Sequence, residues 1–576
     1  MKIAVHITHE SVEKLGGIGA VINGVSLTKA FQKFFDKNVI YGPLFELPRN
    51  AIAKIENGGK VLFSSYDKYD TNKYSEVFAD IINKYNIDII YGERKLICEL
   101  DESKQTTAEV LLIGIHNTNP HQVAVFKYIL WEKFGIQSNL YEGNWDNEQY
   151  LRIAIPFLDI LDKLYDSEAQ CYLFAHEYMG IPCALAAVAK KKKHKTIFVA
   201  HEVTTARFLV EGHPGHDISF YNILKNDQNK KSLEEEFGSQ KLNPRNELIK
   251  RAVFLDRIFT VGDLVKDEYM FLVPDTPAEK IKIVYNGLFF STISAEEKKE
   301  SRNRIKKYSN TLLNFTPDII FTHVARLVIS KGIWRDISLL FYLDEIFASK
   351  RLKGIYIFLA TLIVTGRAPE DILRMEKEYG WPVLHKEGWP DLVGTEIEIY
   401  KWLQIFNSKS KAIKAIFLNQ YGFSRERCGM RVPEDVEFRD FRIASDAEFG
   451  FSIYEPFGIA HIEVIPFGGI SLISSVCGSS FLLQKVFQDA EIKPFYIVDF
   501  LHSKRKMTNE ELKALTREKR DVIEREVLSH HAGKIFELLA LTEKKRETYL
   551  QNAKRYAPEL DWENVVAKHL IPNLSI

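Results

Sequence analysis

Two cations five residues apart open the chemistry of this chain. Arg326 closes an apolar run of strand length, residues 318–325, and Lys331-Gly332 opens the helical pattern that follows. Cations at a strand-to-helix junction can grip one diphosphate, Arg through its planar fork and Lys as a point charge. A second segment, Tyr454-Glu455-Pro456-Phe457-Gly458 through Glu463, follows the apolar run 449–453. Pro456 and Gly458 impose a turn, and seven residues separate Glu455 from Glu463 across one loop and helix start. Each carboxylate can accept hydrogen bonds from vicinal hydroxyls, which suits a sugar at one end and a ribose at the other. Farther on, Gly478-Ser479-Ser480 offers amides and hydroxyls to the same ligand. The chain has no D-x-D triplet, so a diphosphate here is expected to be held by Arg, Lys and amides rather than by a divalent metal.

Near the amino end, Lys14-Leu15-Gly16-Gly17-Ile18-Gly19 stands between a strand pattern and a helix pattern. Glycines there let amides approach an anion at a helix start, and Lys14 adds a charge. The dinucleotide and P-loop fingerprints are both incomplete, with Ile22 where the third glycine would stand. Phe174-Ala175-His176-Glu177 and Val199-Ala200-His201-Glu202 each end an apolar strand. Gly180 and Thr205 occupy the second-histidine position of H-E-x-x-H, which excludes a zinc protease. A histidine at the carboxyl end of a parallel strand stands where ligands bind, so His176 is assigned a function and His201 is left undecided.

The elements that must position these groups alternate along the chain. Strand-length apolar runs at 2–7, 39–42, 87–91, 110–115, 171–175, 196–200, 258–262 and 281–284 are separated by amphipathic segments. A second series follows at 318–325, 355–363, 414–418, 449–453 and 470–475. Two such series predict an α/β protein of two doubly wound Rossmann-like domains, 1–300 and 315–555, with a linker near 286–317. Facing domains of this kind offer a cleft to one extended polar ligand.

Composition narrows the partners. The 576 residues hold 77 Lys plus Arg against 77 Asp plus Glu, so no net field draws nucleic acid or an anionic membrane. Any anion must be gripped locally. Five scattered cysteines without a CxxC pair read as reduced, buried thiols. Met1-Lys2 runs straight into a strand pattern without a signal-peptide core, and the uncharged stretch 464–484 is broken by Pro and Gly. A cytoplasmic protein with no membrane span is the expectation.

Together, Lys14-x-Gly-Gly-Ile, Ala175-His176-Glu177-Tyr178, Arg326-x4-Lys331-Gly332 and Glu455-x7-Glu463 resemble the motifs of retaining glycosyltransferases of the GT-B fold, above all glycogen and starch synthases. Tyr285-Asn286-Gly287 is also similar, and residues 556–576 resemble the closing helix that returns to the first domain. The resemblance implies transfer of glucose from ADP-glucose or UDP-glucose to an α-1,4-glucan end with retention of configuration. It implies that Arg326 and Lys331 neutralise the departing diphosphate, helped by Lys14 and the Gly16 and Gly17 amides. Glu455 would hold sugar hydroxyls, Glu463 the ribose, Gly478 and Ser479 the nucleotide, and His176 the glucosyl 6-hydroxyl. No cofactor and no dedicated protein base is implied, and a homo-oligomer is compatible with the pattern. Two other readings stand beside it: a GT-B enzyme with a sucrose-, trehalose- or cell-surface-type acceptor, and a catalytically silent glucan-binding protein.

Overall fold

In the computed structural model, the described residues are 1–12, 17–45, 47–98, 101–226, 231–289, 291–361, 394–419, 432–502 and 505–575, with a few isolated positions between 362 and 431. Lys14 and Gly16 lie outside them, as do residues 385–393 and most of 420–431 of the polar segment 385–445. The chain divides into two compact units, one of residues 1–206, 227–289 and 561–576, the other of 207–226 and 290–560.

In the first unit the strands are β1 (Lys2–Ile7), β2 (Lys37–Pro43), β3 (Lys60–Ser64), β4 (Tyr69–Asp70), β5 (Asp88–Cys98), β6 (Asp101–Gly114), β7 (Gln170–His176), β8 (Lys195–Ala200), β9 (Arg257–Thr260) and β10 (Ile281–Ile283). They form one ten-stranded sheet in the order β10-β9-β8-β7-β1-β2-β6-β5-β3-β4. From β10 to β6 every pairing is parallel, and the order reverses direction at β1 and β7. The edge departs from the all-parallel expectation: β6 with β5, β5 with β3 and β3 with β4 are antiparallel. Strands β5 and β6 run well beyond the apolar runs 87–91 and 110–115 because their polar halves pair with each other, Lys95 opposite Thr107 and Leu96 opposite Thr106. There only Leu96 and Cys98 of β5 are buried, so hydrophobicity carries little trace of them. The carboxyl-terminal stretch of this unit is stitched in by Glu563, whose carboxylate accepts from the amides of Lys29 at 2.7 Å and Ala30 at 2.9 Å, at the start of the helix Lys29–Phe34.

The second unit holds β11 (Ile319–Ala325), β12 (Gly354–Ala360), β13 (Ile413–Asn419), β14 (Ala447–Gly450), β15 (Ile470–Ser474) and β16 (Phe495–Val498). All are parallel, in the order β13-β12-β11-β14-β15-β16, which by rank along the chain is the Rossmann order 3-2-1-4-5-6. Successive side chains sort onto opposite faces. Phe321, Tyr356 and Phe358 join one apolar core, and Ile320, Ile355, Ile357 and Leu359 join another. A sheet covered on both faces needs such unbroken apolar strands, which is why these runs are visible without alternation.

The charged helix expected in the linker is instead a wall of this unit. Ala295–Leu313 starts on a Ser294–Glu297 capping box and buries Lys298 and Arg302. Lys298 donates to the carbonyls of Ile443, Ser445 and Phe467, and burial pushes its ammonium down to about 7. Arg302 meets Asp446 at 2.5 Å and the Asp318 carbonyl at 2.8 Å. Among the described residues no helix is long and apolar enough to cross a membrane.

Candidate active-site groups

In the second unit the strand order reverses between β11 and β14, and ligands of open parallel sheets bind beyond the carboxyl ends of strands at such a switch point. Both motifs singled out in the sequence sit there. Arg326 follows β11 directly; it is exposed and, among the described residues, takes no ion-pair partner. The short helix Ile329–Lys331 then carries Lys331 to the loop that follows β14. Gly332 makes this possible: its φ is +60°, and a Cβ there would lie 2.4 Å from the Phe451 carbonyl oxygen. The two loops are tied by the Ile453 amide, which donates to the Ser330 carbonyl at 2.8 Å.

Glu455 is the centre of this cluster. Its Oε2 accepts from Lys331 Nζ, from Ser452 Oγ at 3.3 Å and lies 3.2 Å from His461 Nε2. The hydrogen bonds of this carboxylate to described residues all fall on Oε2 and leave Oε1 without one. Burial works against the carboxylate, yet the Lys331 charge and the His461 contact outweigh it and hold the group well below the usual carboxylate range. The result is an anion fixed through one oxygen at the end of β14, while Arg326 stands exposed at the end of the neighbouring β11.

Gly478 and Ser479 brace this arrangement from β15. The Gly478 amide donates to the Glu455 carbonyl at 2.9 Å and the Ser479 amide to the Phe457 carbonyl at 2.8 Å. Both amides are therefore used inside the protein. A Cβ on Gly478 would stand 1.8 Å from the Pro456 carbonyl oxygen. Gly478→Ala is accordingly expected to lose about 1–3 kcal/mol of stability and, by shifting Glu455, most of the turnover. Thermal melting and an activity assay check this; an unchanged melt would show that the loop yields freely. Glu463, just past the helix Ile459–Ile462, is exposed, with Oε2 at 3.3 Å from Arg442 Nη2.

In the first unit the order reverses between β1 and β7, and three histidines form a chain at that place. His6 Nδ1 lies 2.9 Å from His176 Nε2, and His176 Nδ1 lies 2.8 Å from His201 Nε2. His176 is buried with both ring nitrogens engaged, whereas His201 is partly exposed. The ring that reaches the surface is thus the one the sequence left undecided. Burial, reinforced by the neighbouring imidazoles, lowers all three pKa values, His6 and His201 to about 3. They are neutral at physiological pH. Beside them, with Tyr178 of the histidine motif, stand Asp146, Arg245 and His9, which no motif marked. Arg245 Nε donates to Asp146 Oδ2 at 2.8 Å, Tyr178 OH reaches Asp146 at 3.2 Å, and burial lowers His9 to about 4. Asp146, Arg245 and His9 come from three distant stretches of chain, so only the fold unites them.

The glycine loop is legible in part. Gly17 is exposed at the start of the helix Gly17–Ser26, and the Gly19 amide is taken by Glu10 Oε2 at 2.7 Å. The anion at that helix start is the chain's own carboxylate. Among the described residues no group of three His, Cys, Asp or Glu side chains could hold a metal ion, and four described cysteines are free and buried.

No protein-family model matches the sequence, and no curated protein matches it either. Solved structures do. The apo structure of OtsA matches 100% of this chain and 99% of its own at 12% identity, with a TM-score of 0.50. The fold is GT-B. Other GT-B structures similar to the chain are an α,α-trehalose-phosphate synthase (UDP-forming) from Burkholderia xenovorans and the catalytic domain of starch synthase IV from Arabidopsis thaliana. The first was solved with glucose-6-phosphate and matches 98% of this chain and 97% of its own at 10% identity, TM-score 0.48. The second was solved with ADP and acarbose and matches 96% and 99% at 14% identity, TM-score 0.46.

Proposed function

We propose that the protein is a retaining glycosyltransferase that moves a hexosyl group from a nucleoside diphosphate sugar to a carbohydrate hydroxyl. The observation that carries this reading is the cluster at the β11/β14 switch point. Lys331 fixes Glu455 through one oxygen and leaves the other to sugar hydroxyls, with Arg326 exposed at the end of the adjacent strand β11. Negative charge grows on the diphosphate as the glycosidic bond breaks, and cations already held in place stabilise that state most. Glu463 is assigned the ribose. The leaving phosphate takes the acceptor proton in a front-face attack, so no protein base is needed. With Arg326 and Lys331 neutralising the diphosphate, the reading also needs no divalent ion.

The acceptor is the finer question, because one fold serves many acceptors. The full-length likeness to OtsA, a trehalose-6-phosphate synthase, supports a trehalose-type transfer to a single sugar or its phosphate. The glycine-loop, histidine and E-x7-E motifs support elongation of an α-glucan. UDP-glucose and ADP-glucose are each offered with glucose, glucose 6-phosphate, maltooligosaccharide and glycogen, with and without a chelator. Nucleotide release and product mass are scored. Release with a sugar acceptor, an α-linked product and indifference to the chelator are expected. An inverted linkage, or no release across the panel, would overturn the reading.

A further inference from the structure

The three-histidine chain of the first unit has a direction, and the direction decides what His201 shows to a ligand. A neutral imidazole carries one N–H and one lone pair. Because His176 is bonded to a histidine at each nitrogen, it must donate through one and accept through the other, and its neighbours must follow suit. Only two arrangements satisfy all three rings. In the first, His6 Nδ1–H donates to His176, His176 Nδ1–H donates to His201, and His201 is left with Nδ1–H pointing outward. In the second, every proton is on the other nitrogen, and His201 shows a bare lone pair.

The inner end of the chain separates them. His6 is 3% exposed and stacked on Phe174 and Phe31, with ring centroids 5.0 and 5.9 Å away. Its Nε2 is buried and has no hydrogen-bond partner among the described residues. A cavity of about 40 Å³ adjoins it, walled mostly by apolar side chains such as Val21, Val25, Val199, Phe259 and Leu570, with Asn286 its one side-chain amide. The second arrangement would aim an N–H into these surroundings; the first leaves only a lone pair there. Orphaned buried N–H donors are rarer in folded proteins than under-used acceptors.

We propose that His6 is a positioning residue that polarises the chain outward, so that His201 presents Nδ1–H as a fixed donor to an oxygen of the bound carbohydrate. Such a His201 cannot take up a proton at that nitrogen, so it binds and orients a hydroxyl or ring oxygen and is no general base. This consequence for sugar transfer rests on the proposed function; the tautomer does not.

The test reads the tautomer directly, in the full chain and without turnover. Histidine-labelled protein is examined by 15N NMR, with His176 and His201 assigned through His176→Gln and His201→Gln. His201 and His176 are both expected as the Nδ1–H form, against the usual preference of a free imidazole for Nε2–H. His6→Phe keeps the aromatic stacking but removes the donor, and should return both rings to Nε2–H or a mixture. His6→Asn, whose amide can stand in for Nδ1–H, should restore the outward form. Nε2–H at His201 in the unaltered protein, or unchanged tautomers in His6→Phe, would overturn the proposal. If the proposed function also holds, His6→Phe lowers kcat about tenfold and His6→Asn recovers it, the effect of one hydrogen bond at a reacting sugar. Correct tautomers with no transferase activity would instead count against the function alone.

Discussion

Lys331→Ala is expected to lower turnover about a thousandfold while the chain still folds. The side chain does two jobs that the structure keeps distinct. It supplies positive charge at the β11/β14 switch point, and it holds Glu455 ionised against the cost of burial. Removing it leaves a carboxylate of low exposure without its cation, a loss of about 3 kcal/mol. The sign with pH follows from linkage. In the unaltered protein the folded Glu455 titrates below its ordinary value of 4.5, so its contribution to stability is present above that value and is lost as pH falls toward the folded one. In Lys331→Ala burial is opposed only by the His461 and Ser452 contacts, the carboxyl rises, and the deficit shrinks as pH falls toward its raised value. Glu455→Gln should lose turnover as severely, since its amide nitrogen cannot accept from a sugar hydroxyl. The double variant Lys331→Ala/Glu455→Gln should regain most of the lost stability and none of the activity. Near-normal rates in either single variant would remove the pair from the site.

What could be read before the structure, and what could not, follows from range. The spacing of Arg326, Lys331, Glu455 and Glu463 was legible because each motif sits at the end of a fully buried strand, and strand ends on a doubly wound sheet converge at the switch point. The apolar runs that announce β12 and β15 are buried on both faces, and that of β11 nearly so, so their signal is strong. Strands β3, β4 and β16 and the outer halves of β5 and β6 lie at or near sheet edges, short or polar, and left none. The histidine chain shows the same limit at the level of a site. His176 stood out by its neighbours in sequence, but His6, 170 residues away, closes off one of its nitrogens, and His201 closes off the other. Burial of that kind is a property of the assembled sheet. The helix Ala295–Leu313 looked like a solvated linker because Lys and Arg crowd it. Its Lys298 and Arg302 are matched by carbonyls and Asp446 from distant loops, which no local pattern records.

The segment 207–226 poses the same question in energetic form. It leaves the chain of the first unit, just after β8, yet belongs to the second, so something specific must hold it there. Arg335, fully buried on the helix Ile333–Lys350, is that fastening. Its guanidinium donates to both oxygens of Asp217, at 2.9 and 2.7 Å, and to Glu524 Oε1 at 2.9 and 2.7 Å, while lying 3.9 Å over the Phe500 ring. Glu524 has a further partner in Trp334 Nε1, at 2.8 Å, so the partner most exposed to loss is Asp217. Arg335→Met, similar in bulk and uncharged, should destabilise the protein by about 3–5 kcal/mol, because two buried carboxylates lose their common cation. Burial already raises the Asp217 pKa even with Arg335 opposing it. Without the guanidinium it rises further, the folded state then binds more protons than the unfolded one, and the variant's deficit shrinks as pH falls from about 7 to about 5. Hydrogen exchange localises the effect: peptides from the helix His216–Asn226 should lose protection before those of the β11–β13 core. Ser219 and Asn222 still donate to the carbonyls of Leu512 and Leu501, so the helix should loosen rather than leave. Adding Asp217→Asn to Arg335→Met removes the stranded charge and should recover part of the stability. If exchange in that helix is unchanged, the fastening lies in those two carbonyl contacts and the apolar packing around them, and the buried ion pairs are bystanders.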